Sequence, residues 1–118
     1  MNSNKRGIGE WGERVAADYL QARGYRVIAR NVRTPYGEID IVTEKDGLTV
    51  LIEVKTRTSR SLGPPEMAVT ARKREHMLAS AAHFAQENRI DHWQIDVIAV
   101  TKETGRKPEL AHFERALE

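Results

Sequence analysis

The segment from residue 38 to residue 56 constrains the fold most, because it predicts a β-hairpin with a well-defined turn. Two stretches rich in apolar and β-branched residues, Glu38–Glu44 and Thr49–Thr56, flank the pair Asp46-Gly47. Asp-Gly is typical of the two-residue turn that joins antiparallel strands. A two-residue turn places Lys45 opposite Leu48, and the register of every further pair follows from it.

This register brings charged side chains together on one face of the hairpin. Asp40 is predicted to lie directly opposite Glu53, and Glu38 opposite Lys55, with all four on the same face. The other face is predicted to be apolar and consists of Ile39, Ile41, Ile52 and Val54. Directly opposed like charges destabilise a strand pair. The carboxylates of Asp40 and Glu53 therefore indicate that a positive charge lies nearby. A divalent cation such as Mg²⁺ supplies one, since it prefers carboxylate oxygens.

Two other arrangements of the same residues remain open. Glu38 and Lys55 could form a cross-strand ion pair while Asp40 and Glu53 point to solvent. A three-residue turn would also shift the register by one residue, which would separate the two carboxylates.

The rest of the chain predicts an α/β fold in a single domain, residues 1–118, with helices on both faces of a mixed sheet. The predicted elements are a helix over Glu10–Arg23, a strand over Tyr25–Val32, a turn at Thr34–Gly37, the two hairpin strands, a helix over about Val69–Asn88, a strand over Trp93–Thr101 and an edge strand within residues 109–115. The core order is therefore α-β-β-β-α-β. A helical crossover after an antiparallel meander places the last core strand parallel to one of the others.

Composition and charge narrow the class of protein. The chain has 40% hydrophobic and 31% charged residues and no cysteine, which excludes disulfides and thiolate metal sites. Because no apolar stretch is long enough for a membrane span or a secretory signal, we expect a cytoplasmic protein without membrane association. The acidic segment 38–54 lies between basic flanks, which suits a cation site whose surroundings attract a polyanion. The alternative is a solvated surface with segregated charge.

Several segments resemble a known nuclease superfamily. Gly37-Glu38-Ile39-Asp40, followed by Ile52-Glu53-Val54-Lys55, is similar to the Asp…Glu-x-Lys signature of the restriction-endonuclease-like superfamily. More closely, nearly the whole chain resembles the YraN family of small bacterial endonuclease-like proteins. The matching residues are Gly12-Glu13, Ala16, Tyr19-Leu20, Gly24-Tyr25, Asn31, the two hairpin segments through Arg57, Val69-Thr70, Lys73 and Asp96-Val97. The resemblance implies a restriction-endonuclease-like core, a mixed central sheet flanked by helices.

The resemblance also implies roles for individual residues. Asp40 and Glu53, together with the Val54 backbone carbonyl, would bind Mg²⁺ or Mn²⁺, and Lys55 would act as catalytic base or stabilise charge. Glu13 would add a carboxylate from the first helix to the catalytic group, although it could equally be an ordinary surface glutamate. The candidate nucleic-acid contacts are Glu38, Arg57, Arg60, Arg72 and Lys73, each of which is alternatively a solvated side chain.

Two expectations concern residues outside this cluster. The YraN family commonly has an arginine before the aspartate of the last core strand, whereas this chain has Gln94-Ile95-Asp96. We therefore expect that a basic contact there is not required and that Asp96 has a structural role. The four histidines show no metal-ligand spacing and are expected to be ordinary surface residues: His76, His83, His92 and His112.

Taken together, these features predict a metal-dependent endonuclease that hydrolyses phosphodiester bonds of nucleic acid. DNA is the preferred substrate class, with branched, repair and recombination intermediates among the candidates, and a homodimer is expected if both strands of a duplex are cut. One alternative is a nucleic-acid-binding or assembly module that retains the nuclease fold without hydrolysis. A purely structural role, with the carboxylates as solubilising charges, is the other.

Overall fold

The computed structural model describes residues 3–58 and 70–117, with side chains from residue 7 onward. Within these ranges the chain forms two helices and a five-stranded mixed sheet. In chain order the elements are α1 (Ser3–Ala22), β1 (Arg26–Thr34), β2 (Gly37–Lys45), β3 (Leu48–Arg57), α2 (Ala71–Glu87), β4 (Trp93–Thr101) and β5 (Glu109–Phe113). The strands are ordered β1-β2-β3-β4-β5 across the sheet.

The predicted elements agree with the structure in type and order and differ mainly at their ends. α1 begins at Ser3 instead of Glu10. Once a helix has formed, each added residue gains one backbone hydrogen bond, so the helix can extend through residues that have no apolar repeat. α2 follows its N-cap residue Thr70, whose hydroxyl accepts a hydrogen bond from the Lys73 backbone N–H at 3.1 Å. The predicted start of that helix at Val69 lies outside the described residues.

The pairing of the strands confirms the predicted hairpin and crossover. β1, β2 and β3 form an antiparallel meander, β4 pairs parallel to β3, and β5 pairs antiparallel to β4 at the edge. Asp46 and Gly47 both have positive φ, 52° and 81°, as a two-residue turn of this kind requires. The register from Lys45–Leu48 to Ile41–Ile52 is the predicted one.

The two helices cover opposite faces of the sheet and bury separate apolar clusters. α1 packs Leu20 against Ile41 and Ile52. α2 packs Ala81 against Val42 and Leu51 in the second cluster. Neighbouring residues of β2 and β3 thus pack into different apolar clusters, as expected for a sheet that is buried on both faces. None of the described helices is long and apolar enough to span a membrane.

A local break in β1 and β2 changes the face on which their side chains lie. The register of the two strands shifts between Val27 and Ala29 and then stays constant. Within the constant part, Asn31 of β1 has a positive φ of 52°, and Asn31 and Asp40 of β2 are left out of the paired residues. Consequently Ile41 joins the cluster under α1, whereas Ile39 joins the cluster under α2. The prediction that both isoleucines share one face is therefore wrong, because strict alternation fails where a strand is distorted. Asp40 lies at this break.

Candidate active site

Asp40 lies just beyond the last residue pair between β2 and β3. The ladder runs from the turn to Ile41–Ile52. At the next position, Oδ2 of Asp40 accepts a hydrogen bond from the Val54 backbone N–H at 2.8 Å. The predicted backbone pair between Asp40 and Glu53 is therefore not formed. In its place, the Val54 N–H of β3 donates a hydrogen bond to the Asp40 side chain. The two acidic side chains are nevertheless brought together, as predicted.

Glu53 carries the largest electrostatic conflict of the site. Burial, a hydrogen bond with Asp40 and the charge of Asp40 together raise the pKa of Glu53 to about 8. Lys73 and Lys55 act in the opposite direction without offsetting these effects. The side chain is only 15% exposed, so water can do little to solvate its charge. Two carboxylates placed in this way would ionise together far more readily beside a cation.

Two lysines from different elements approach the carboxylates. Nζ of Lys73, in the first turn of α2, lies 3.9 Å from Oε1 of Glu53. Lys55 follows Glu53 by two residues in β3 and is partly buried. Burial lowers its pKa to about 8, and a hydrogen bond with Lys73 and the charge of Lys73 act in the same direction. Lys73 therefore forms an ion pair with Glu53 and is not a purely solvated helix lysine.

Gly12, the residue before Glu13, allows α1 to approach β3 closely. A Cβ at Gly12 would lie 2.9 Å from Cβ and Cγ2 of Thr56 and would overlap its hydroxyl oxygen. The neighbouring Glu13 side chain is 17% exposed, with Oε1 3.7 Å from Nη2 of Arg30. Burial and the charge of Asp40 raise the pKa of Glu13. The glutamate is therefore part of the same electrostatic site and is not an ordinary surface residue.

Glu38 lines two cavities, one that also includes Asp40 and Glu53 and one that also includes Glu13. The first, of about 440 Å³, lies between the start of β2 and α2 and includes Asp40 and Glu53 in its lining. The second, of about 770 Å³, lies between α1 and β1, and its basic lining residues are Arg14, Arg30 and Arg33. Oε2 of Glu38 lies 3.8 Å from Nε of Arg33, so its ion pair is made with β1 and differs from the alternative pair with Lys55.

Of the predicted basic contacts, two line the cavity that includes Asp40 and Glu53. Arg72 lines the 440 Å³ cavity together with Lys73. Arg57 ends β3, where its carbonyl accepts a hydrogen bond from the Lys102 backbone N–H at 2.8 Å. Arg60 lies outside the described residues.

The donors present suit a hard divalent cation. Mg²⁺ takes one or two protein carboxylates and keeps several waters, and Asp40 and Glu53 offer such a pair. The predicted third donor, the Val54 carbonyl, belongs to the residue whose N–H holds Asp40. Among residues 3–58 and 70–117, no three acidic or histidine side chains converge into a complete ligand set by themselves. Asp40 and Glu53 are therefore the two acidic side chains of the described residues that could bind such an ion together.

A second polar network, which the sequence did not predict, ties α1 to β4 and β5. Asp96 is fully buried, and its Oδ2 lies 2.8 Å from Nε2 of His112. Its Oδ1 accepts hydrogen bonds from Gln94 Nε2 at 2.9 Å and from the Arg115 backbone N–H at 3.0 Å. The hydroxyl of Tyr19 lies 3.0 Å from Nδ1 of His112. The prediction that His112 is a surface residue is wrong, whereas the structural role expected for Asp96 agrees with these bonds.

Comparison with known proteins identifies the family. Residues 12–100 match the model of the uncharacterised protein family UPF0102. The chain is 40% identical to the UPF0102 protein of Syntrophotalea carbinolica over 120 aligned residues. The aligned region covers 100% of this chain and 97% of the relative. The chain is 44% identical over 112 residues to the UPF0102 protein of Mycolicibacterium gilvum, covering 92% and 91% of the two chains.

The chain belongs to family UPF0102. A third relative, from Dehalococcoides mccartyi, is 42% identical over 102 residues that cover 85% of this chain and 84% of the relative. The part of the chain matched by the UPF0102 model begins at Gly12 and includes Glu13, Asp40, Glu53, Lys55 and Lys73. All the acidic and lysine residues of the candidate site therefore lie within the region that the family model matches.

Proposed function

We propose that this UPF0102 member is a metal-dependent endonuclease that hydrolyses phosphodiester bonds of nucleic acid, with DNA as the preferred class. The observation that carries the proposal is the pair of adjacent carboxylates, Asp40 and Glu53, with the Lys55 amine two residues farther along the same strand. Burial and Asp40 raise the pKa of Glu53 to about 8, which is a severe perturbation for a carboxyl group. Perturbed groups that cluster beside a cavity are typical of catalytic sites.

The chain's own contribution to catalysis would be to fix two oxygen donors and one amine. The Val54 N–H holds the Asp40 carboxylate, and Lys73 lies beside Glu53. A divalent cation, when bound, supplies Lewis acidity toward the phosphate ester. With its pKa lowered to about 8, Nζ of Lys55 can accept a proton near neutral pH or, when protonated, stabilise negative charge on the phosphate.

The architecture supports the same assignment. The core order α-β-β-β-α-β, with helices on both faces of a mixed sheet, is the one implied by the resemblance to the restriction-endonuclease-like superfamily and the YraN family. The acids occupy neighbouring strands, and α1 adds Glu13, as that resemblance also implies. A similar fold alone does not determine an activity, so the proposal depends on the side chains of Asp40, Glu53 and Lys55.

Basic side chains that line both cavities offer contacts for a polyanionic substrate. Arg14, Arg30 and Arg33 line the 770 Å³ cavity, and Arg72 and Lys73 line the 440 Å³ cavity. Basic side chains near a cation site can contact successive phosphates of one strand, which positions the backbone without reading its sequence.

Cleavage assays with labelled DNA test the proposal. The wild-type protein is incubated with Mg²⁺ or Mn²⁺ and single-stranded, duplex, flapped and four-way substrates, with single-stranded RNA for comparison. We expect cleavage that is lost in Asp40→Asn and Lys55→Ala and retained in Glu75→Gln, which changes an exposed glutamate of α2. Cleavage that persists unchanged in the first two variants would remove these residues from the mechanism.

A nucleic-acid-binding module without hydrolysis is the second candidate. It is favoured by the basic residues that line both cavities, because phosphate contacts of this kind can bind nucleic acid without hydrolysing it. Salt-dependent DNA binding without turnover in either metal would support this candidate over the enzyme.

A further inference from the structure

Tyr36 presents an exposed ring beside the candidate active site. It occupies the turn between β1 and β2 and is 53% exposed. The same 440 Å³ cavity is lined by Tyr36, Asp40 and Glu53. Single exposed aromatic residues are common on protein surfaces, so the significance of this one depends on how it is held and on what surrounds it.

The turn that carries Tyr36 is fixed by hydrogen bonds. The hydroxyl of Thr34 accepts a bond from the Tyr36 backbone N–H at 3.1 Å and donates to the Gly37 carbonyl at 2.8 Å. It also lies 3.0 Å from the hydroxyl of Ser80, which joins the turn to α2. Gly37 has a φ of 147°, and a Cβ there would lie 3.2 Å from Oγ of Ser80. The position of the aromatic residue is thus set before any ligand arrives.

The ring itself is supported from one side. His83 of α2 meets the Tyr36 ring in an edge-on geometry, with centroids 6.0 Å apart and an interplanar angle of 66°. A tyrosine has few side-chain torsions, so little freedom remains to be lost when a flat ligand stacks on it. Aromatic side chains of this kind bind nucleobases of any sequence, because every base has a π-face.

The other walls of the cavity provide groups for the rest of a nucleotide. Arg72 and Lys73 supply positive charge for a phosphate, and Asp40 and Glu53 mark the proposed cleavage position. A base inside a duplex has both faces covered by its neighbours in the stack. Only an unpaired, unstacked base can therefore lie on Tyr36 while its phosphate reaches the acidic pair.

We propose that Tyr36 is a base-stacking residue that holds an unpaired nucleotide next to the cleavage position, so that the ligand is single-stranded nucleic acid at this point. The inference rests on the proposed function, because it names the form of the substrate at the same site. It adds a binding residue from the β1–β2 turn. The aromatic ring of this residue can stack on a base, which the acidic side chains of the site cannot do.

Binding measured apart from cleavage tests the inference. Fluorescence anisotropy with Ca²⁺ in place of Mg²⁺ or Mn²⁺ compares a labelled single strand with a blunt duplex for wild type, Tyr36→Ala and Tyr36→Phe. Loss of the ring should weaken single-strand binding roughly 5- to 150-fold, the range found for removal of a base-stacking aromatic residue. The phenylalanine variant and Leu78→Ala, which removes an exposed apolar side chain of α2, should bind like wild type.

A second readout reports the stacking of the base directly. A single strand that contains 2-aminopurine should lose fluorescence when wild type binds, because the base stacks on Tyr36, and the quenching should persist in Tyr36→Phe. Equal single-strand affinity of wild type and Tyr36→Ala, absence of single-strand binding, or binding without quenching overturns the inference. Tyr36-dependent binding without cleavage supports the inference and overturns the proposed function. If the protein cleaves nucleic acid and its single-strand affinity does not change in Tyr36→Ala, the inference is overturned and the proposed function is not.

Discussion

Replacement of Glu53 by glutamine should stabilise the metal-free protein at neutral pH, by an amount that grows as the pH rises. Burial and Asp40 raise the pKa of Glu53 from 4.5 to about 8 in the folded protein. The protonated carboxyl therefore contributes stability that is complete below the unfolded-state pKa and is lost as the pH rises through about 8. Glutamine has a similar shape and remains neutral throughout, so the variant avoids this loss.

The size of the effect follows from the same shift. Each pKa unit corresponds to about 1.4 kcal/mol, so the wild type loses about that much per pH unit between 4.5 and about 8. Relative to Glu53→Gln, the free energy of unfolding should be lower by about 3 kcal/mol at pH 7 and by about 5 kcal/mol near pH 8. In a domain of this size, about 3 kcal/mol corresponds to a Tm difference on the order of 10 °C.

Urea denaturation in EDTA, repeated across this pH range, measures the predicted difference. Glu75→Gln serves as the control, because it makes the same chemical change at an exposed position of α2. Added Mn²⁺ should restore stability to the wild type and not to Glu53→Gln. If the wild type and the variant differ by a constant amount from acid to mildly alkaline pH, Glu53 does not carry the charge conflict with Asp40 on which the proposed cation site depends.

Two further substitutions test how the site is held in place. Gly12→Ala should lower the free energy of unfolding by about 1–3 kcal/mol, because its methyl group would collide with Thr56. Gly9→Ala, where a Cβ meets nothing within 4 Å, should be neutral or stabilising, and an equal effect of both substitutions in urea denaturation would contradict the close approach of α1. His112→Ala should destabilise by about 3 kcal/mol, because the buried Asp96 carboxylate loses a partner. An unchanged Tm for that variant would show that the network is not needed for stability.

The hairpin was predictable because its signals are local. The Asp46-Gly47 turn fixes the register of the neighbouring pairs, and that register appears in the structure as far as Ile41–Ile52. The break at Asn31 was not predictable by the same reasoning, because it depends on two strands distorting together. An asparagine tolerates positive φ more readily than most residues, which was the available signal. The outcome is that Asp40 binds a backbone N–H and does not take a place in the ladder.

The contacts of His112 were missed because its partners are far away in sequence. Tyr19 and His112 are 93 residues apart, and no periodic pattern in either segment points to the other. Asp96 gave a usable signal, since a lone carboxylate in the apolar run Ile95–Val100 needs hydrogen-bond donors when it is buried. The identity of those donors, however, depends on how β5 packs beside β4.

Anomalous diffraction from a wild-type crystal soaked in Mn²⁺ tests most directly whether the two acids form a cation site. The predicted result is a manganese peak within bonding distance of the Asp40 and Glu53 carboxylates, which disappears in crystals of Glu53→Gln. A peak bound elsewhere, or an empty position between these carboxylates at saturating Mn²⁺, would contradict the proposed site.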